Sequence, residues 1–133
     1  MLLKLIYRMQ KYREKAISIN GKRLRAIIAD SEAKRMIGLM FRKSLGSGKC
    51  MLFVFPYEGF HGIWMYNMQF AIDVVWFDGK LCVVDIMEGF KPCKSFLGCK
   101  PYVPVAKAKY VAELNAGAVK KYKIRIGARL NRL

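Results

Sequence analysis

Asp73 stands inside Ile72-Asp73-Val74-Val75-Trp76-Phe77, a run that is otherwise wholly apolar. Alternation along a strand places Asp73 with Val75 and Phe77 on one face, and Ile72, Val74 and Trp76 on the other. Both faces are hydrophobic, so a strand here must be covered on both sides. Its carboxylate is then an interior group that has to be met by a cation or by several N–H donors. Arg42 is the first candidate partner, because a guanidinium makes bidentate, charge-assisted contacts with a carboxylate. Asn67 is the second. A buried network of this kind can simply specify a fold, or it can form the polar floor of a small pocket, with Trp64 and Trp76 as walls.

Turn chemistry organises the rest of the chain. Asn20-Gly21 separates Ala16–Ile19 from Lys22–Ala29, and Asp78-Gly79 separates Ile72–Phe77 from Lys80–Met87. Asx-Gly between β-rich runs signals a hairpin. Asp30-Ser31-Glu32 offers a helix N-cap with an acid in the first turn. The apolar stripe Ala33, Met36, Ile37, Met40 then predicts a helix over 33–40. Further strands are expected at 51–55, 63–68, 110–114 and 124–130, the last bent at Gly127. A short helix is expected at 118–122 and a long ordered loop at 88–105. This pattern gives a mainly β chain, with α+β as the variant: an antiparallel sandwich or barrel with one or two short helices. Residues 15–133 form a single domain, preceded by a basic extension, 1–14.

Charge is partitioned along the chain. Residues 1–50 carry 13 Lys/Arg against 3 acids, residues 51–90 one against 5, and residues 91–133 carry 11 against one. The sum, +10 − 4 + 10, is the net +16. A hydrophobic, slightly acidic middle lies between two basic flanks. Such flanks attract nucleic acid or an anionic membrane surface weakly and without sequence preference. They also suit plain solubility, or a lysine-rich proteome of the thermophile type. The flanks should meet on the surface while the middle builds the core.

Leu2, Leu3, Leu5 and Ile6 are interrupted by Lys4, too short a run for a membrane span or an export signal. The segment reads as a frayed terminus or a basic helix lying on an anionic membrane. The expected location is cytoplasmic, with a peripheral membrane position as the variant. Reduced thiols are then expected for Cys50, Cys82, Cys93 and Cys99, although Cys93 and Cys99 are close enough in sequence to close a small loop. No Cys-x-x-Cys pair occurs and His61 is the only histidine, so neither a metal nor another cofactor is expected.

Three functions compete. The first is a non-enzymatic binding or accessory domain with a pocket around Trp64, Asn67 and Asp73. The second is nucleic-acid or anionic-surface binding through the basic flanks. The third is a hydrolase-like enzyme using Asp73, Glu113 or His61, since two carboxylates can divide the roles of acid and base. Glu113 is the lone acid of a basic region, where pairing with Lys or Arg is the simpler role. No nucleophile elbow or phosphate-binding glycine loop is present.

The ordered motifs Gly38-Leu39-Met40-Phe41-Arg42, Met51-Leu52-Phe53-Val54-Phe55, Trp64-Met65-Tyr66-Asn67-Met68, Ile72–Phe77, Pro92-Cys93, Tyr102-Val103-Pro104, Tyr110–Gly117 and Ile126-Gly127 resemble domain of unknown function 192, in its archaeal form. Cys50 stands where that family usually has Gly, Ile63 where an aromatic is common, Ala71 where a proline is typical, and Ala128 where an Asp is usual. The resemblance implies a β-rich single domain and brings no activity. The matched positions Arg42, Trp64, Asn67, Asp73 and Glu113 are the candidate binding residues.

Overall fold

Asn20 and Gly21 take φ of 51° and 75° in the computed structural model, which describes residues 1–132. These are the two left-handed positions of a type I′ turn. They join β1 (Glu14–Ile19) to β2 (Lys22–Ala29), with Ile19 opposite Lys22. Ser31 then caps α2 (Glu32–Ile37), its hydroxyl accepting the Lys34 N–H. The helix stops at Gly38, whose φ of 51° and ψ of −131° lie in a region that only glycine visits freely. The helix is therefore shorter than the apolar stripe suggests, and Leu39 and Met40 are buried in turns instead. β3 (Lys49–Gly59) returns parallel to β2, with Ile27 opposite Met51. A parallel pair needs a crossover, and the segment containing α2 provides it. Every other strand pair is antiparallel, as expected.

β4 (Ile72–Phe77) and β5 (Val83–Phe90) form the second hairpin, with Val74 and Val84 on its two arms. Its turn is longer than Asp78-Gly79. The Asp78 side chain accepts the N–H groups of Lys80 and Cys82, and Leu81 carries the positive φ of 70°. β6 (Ala108–Asn115) inserts between β4 and β3, and is followed by α3 (Ala118–Lys121) and β7 (Leu130–Arg132). The order is β5-β4-β6-β3-β2-β1-β7. The two ends approach each other: Cys82 bridges Arg129, and the Leu130 N–H donates to Leu81. The result is a curled seven-stranded half-barrel with three short helices, the third being α1 (Leu2–Met9).

Two expected strands are corrected. Residues 63–68 make only two single bridges, Ile63 to Tyr102 and Tyr66 to Cys93, and Asn67 turns the chain with φ of 60°. Residues 124–128 are irregular, with a turn at Ile126-Gly127, and the strand begins at Leu130.

The curl encloses one core: Ile17, Leu24, Leu52, Val75, Phe77 and Leu114, plugged by Ala118 and Val119 of α3. The opposite face carries Met51, Phe53, Val74, Trp76 and Val111, covered by Leu39, Ile63, Met65 and Met68. All six residues of β4 are buried because both faces are covered. Burial of a side chain the size of Phe77 contributes about 1.5–3 kcal/mol. β1 also pairs with β7, so the two basic flanks of the sequence meet at one edge of the sheet.

Candidate functional site

Asp73 is 1% exposed, and its carboxylate is met by three backbone donors. Oδ1 accepts from Gly89 at 2.9 Å, and Oδ2 accepts from Gly117 at 3.1 Å and Val119 at 2.9 Å. The expected partners, Arg42 and Asn67, are not among them. N–H groups stabilise a buried carboxylate as a cation would. Here they come from a kink in β5, where Gly89 has φ of 61°, and from the turn that starts α3. Asp73 thus pins β4 to two turns that would otherwise bury unpaired donors, a role within the fold.

Glu113 is the other interior acid. Met51 of β3 and Val74 of β4 flank it directly across the sheet, and both are fully buried. Its Oε1 is buried without a hydrogen-bond partner among the described residues. Burial pushes its carboxyl up to about 8, so at neutral pH it holds its proton. The expected Lys or Arg partner is absent because the neighbours on this face of the sheet are apolar.

Glu113 lines a cleft of about 310 Å³ between α2, the 62–68 segment and the sheet. Ile37, Met40, Phe53, Phe55, Ile63 and Met68 provide apolar wall, while Trp64, Arg35 and Glu32 add polar groups. Gly38 packs tightly at the cleft wall: a Cβ there would stand 3.1 Å from Phe53 Cζ and 3.6 Å from Glu113 Oε1. Arg35 is held at the cleft wall, donating to the Val54 carbonyl at 2.9 Å with its guanidinium 5.2 Å from the Phe55 ring centre.

The remaining candidates fall outside this constellation. Arg42 lies 5.3 Å from the centre of the Tyr12 ring, and its Nε has no hydrogen-bond partner among the described residues. Burial raises the Tyr12 hydroxyl above its ordinary value, with the Arg42 charge opposing the rise. Asn67 accepts the Phe41 N–H through its main-chain carbonyl and turns the chain, while its side-chain Nδ2 lies 3.9 Å from Met40 Sδ. Asn tolerates that left-handed conformation better than most residues. Trp76 is core, donating to the His61 carbonyl at 2.8 Å. His61 stacks on Phe55 at 3.6 Å, and its Nε2 is 3.0 Å from the Tyr57 carbonyl. Asp73, Glu113 and His61 therefore do not assemble. Asp73 faces the enclosed core while Glu113 faces the cleft.

Sequence reasoning missed Asp85. It is 8% exposed and anchors the 99–105 loop by accepting from the Tyr102 hydroxyl and the Val105 N–H. This hydrogen bond raises the Tyr102 hydroxyl, burial adding to it. The signal was present: an acid within Val83-Val84-Asp85-Ile86, the same pattern as around Asp73. Cys50 and Cys82 are free, and Cys93 and Cys99 form the small-loop disulfide that the sequence left open beside the reduced default. Their loop carries Phe96 onto Trp64 and Tyr66, with ring centres 5.6 Å and 5.4 Å away. Among the described residues, no group of three or more His, Cys, Asp or Glu is placed to hold a metal, and no helix is long and apolar enough to cross a membrane.

A family profile, described as an uncharacterized group and designated DUF192, matches residues 15–132. The chain belongs to the DUF192 family. It is 34% identical over 117 residues to a UPF0127 protein of Pyrococcus furiosus, covering 83% of this chain and 90% of that one. A UPF0127 protein of Pyrococcus horikoshii is 32% identical over 108 residues, 77% of this chain and 83% of that one. The DUF192 fold also aligns with a Sinorhizobium meliloti protein described as a candidate transcription regulator. That match has a TM-score of 0.84 and 25% identity, over 92% and 96% of the two chains. A Novosphingobium aromaticivorans protein of unknown function aligns with a TM-score of 0.80 at 20% identity, over 92% and 94%; it supports the DUF192 fold alone. The family match starts at residue 15, so α1 lies outside it.

Proposed function

We propose that the domain is a small-molecule-binding module whose cleft receives a compact ligand with an apolar body and a carbonyl or amide group. The observation that carries this reading is Glu113, a buried carboxyl whose Oε1 has no hydrogen-bond partner among the described residues, on the wall of a mainly apolar cleft; burial pushes it up, toward the neutral form. A neutral carboxyl both donates and accepts, which suits an amide or ketone. The volume is at the lower end of the roughly 300–1,000 Å³ usual for such sites. Asp73, Asn67 and Arg42 support the scaffold in this reading, and Trp64 and Glu113 contact the ligand. The separation of Asp73 from Glu113 favours binding over hydrolysis by a carboxylate pair.

The test is an NMR titration of the isotope-labelled protein with small cyclic amides and ketones. Shifts should concentrate at Gly38, the Trp64 indole and Glu113, and should vanish in Glu113→Leu. If no probe perturbs these positions, the reading fails.

A second reading rests on a different observation. The hairpin tip at Lys22 and Arg23 packs against the segment after α3, where Asn20 donates to the Tyr122 and Lys123 carbonyls. Exposed Lys120, Lys121, Lys123 and Arg125 lie close by in sequence, and none of these six cations is in an ion pair among the described residues. Such a surface favours weak nucleic-acid binding. The description of the Sinorhizobium protein points the same way for that protein. Each duplex phosphate neutralised should contribute about −0.9 to the slope of log K against log salt. No binding even at low salt would remove this reading.

A further inference from the structure

α1 divides into three stripes. Leu3, Ile6 and Tyr7 are half-buried against the domain, with Tyr7 packed 5.7 Å from the Phe41 ring. A second stripe, Leu2, Leu5 and Met9, is 69%, 55% and 70% exposed. Their spacing of three and four places them on one side of the helix. A third stripe, Lys4 and Arg8, is basic, and Lys11 follows just beyond the end of the helix. Leu2 and Leu5 adjoin Lys4 and Arg8 in one shallow surface. No acid occurs before Glu14.

Three large apolar side chains held in water by a docked helix are not required for its packing, since the other side provides that. Acidic protein partners would account for the cations but not for the leucines. A second copy of this chain would account for the leucines, but it would oppose like charges across the contact. An anionic bilayer satisfies both, because acyl chains take the leucines while long basic side chains reach the headgroups. We propose that α1 is a peripheral anchor that lays the domain on an anionic lipid surface through Leu2, Leu5 and Met9, with Lys4 and Arg8 at the headgroups. The anchor is an addition to the family domain, which starts at residue 15. It is independent of the cleft.

Flotation of the full chain with phosphatidylglycerol-containing vesicles, compared with pure phosphatidylcholine vesicles, tests this. The anionic vesicles should capture the protein and the neutral ones should not, and added salt should weaken capture. Each cation near such a surface is worth about fivefold in partitioning, the equivalent of about 1 kcal/mol, so Lys4→Glu with Arg8→Glu should reduce binding by roughly twentyfold or more. Replacing Leu2, Leu5 and Met9 by Ser should reduce it at least about tenfold. Unchanged circular dichroism and melting in both variants would show that the fold is intact. Equal capture by neutral vesicles, full capture of the serine variant, or no capture at all would each overturn the proposal. Lipid-independent dimerisation abolished by the serine variant would assign the stripe to a second copy and overturn it as well.

Discussion

Asp73 and Glu113 sit on adjacent strands, one register step apart, and face opposite sides of the sheet. Leu114 is the residue across from Asp73, and Val74 the residue across from Glu113. One acid is satisfied by three N–H donors in the enclosed core, while the other lacks a partner for Oε1 in a cleft. The same residue class, on neighbouring strands, is therefore fully satisfied in one case and left with a buried unpartnered oxygen beside a cleft in the other.

Asp73→Ala should destabilise the domain by about 3 kcal/mol or more, because it leaves three backbone N–H donors without their acceptor, each costing about 1–3 kcal/mol when buried. Urea unfolding measures it. Arg42→Ala should be additive with Asp73→Ala to within about 0.5 kcal/mol, as for sites without a shared partner. Strong coupling between the two would restore the ion pair first expected from the sequence.

Glu113 makes stability depend on pH with a definite sign. Its folded value, about 8, lies above the ordinary 4.5. Between these values the folded protein binds more protons than the unfolded chain, so stability falls as pH rises and the loss is complete above about pH 8. At 1.36 kcal/mol per pH unit, the ceiling is about 5 kcal/mol. Unfolding free energies from urea titrations at about pH 5.5 and 8.5 should differ by several kcal/mol more in the natural protein than in Glu113→Gln. Identical pH dependence would mean that Glu113 is ionised or wet.

Gly38→Ala should cost about 1–3 kcal/mol, because its backbone angles are strained for any residue with a Cβ and the added carbon meets Phe53 at 3.1 Å. Thermal melting with circular dichroism checks this. A neutral outcome would require Phe53 to yield without loss.

The burial of Asp73 was legible because a strand has period two and both of its faces were apolar. Its partners were not, since they are N–H groups 16, 44 and 46 residues away, and a backbone donor leaves no mark on residue type. The Asn20-Gly21 turn was legible because two adjacent positive φ angles favour that dipeptide. Residues 63–68 misled because a buried irregular segment is as apolar as a strand. The cleft was hidden for a related reason: Gly38, Trp64 and Glu113 come from three distant segments whose meeting depends on strand order. Trp64 and Glu113 could be named as candidates, but their shared site could not be read without the sheet topology.

The Cys93–Cys99 disulfide should control the environment of Trp64. Phe96 lies in its loop and touches the Trp64 and Tyr66 rings edge-on. The loop is short, so Cys93→Ser with Cys99→Ser should lower stability by about 2 kcal/mol or less. Its larger effect should be local. Phe96 is then held only through the chain, and Trp64 should become more accessible to water. Red-shifted emission and stronger acrylamide quenching are expected in this variant, and in the natural protein after reduction. Trp76 is fully buried and should give a constant background. Trp64→Phe should therefore abolish the difference between oxidised and reduced protein. An unchanged spectrum on reduction would mean that the backbone bond from Cys93 to Met65 already holds the loop in place.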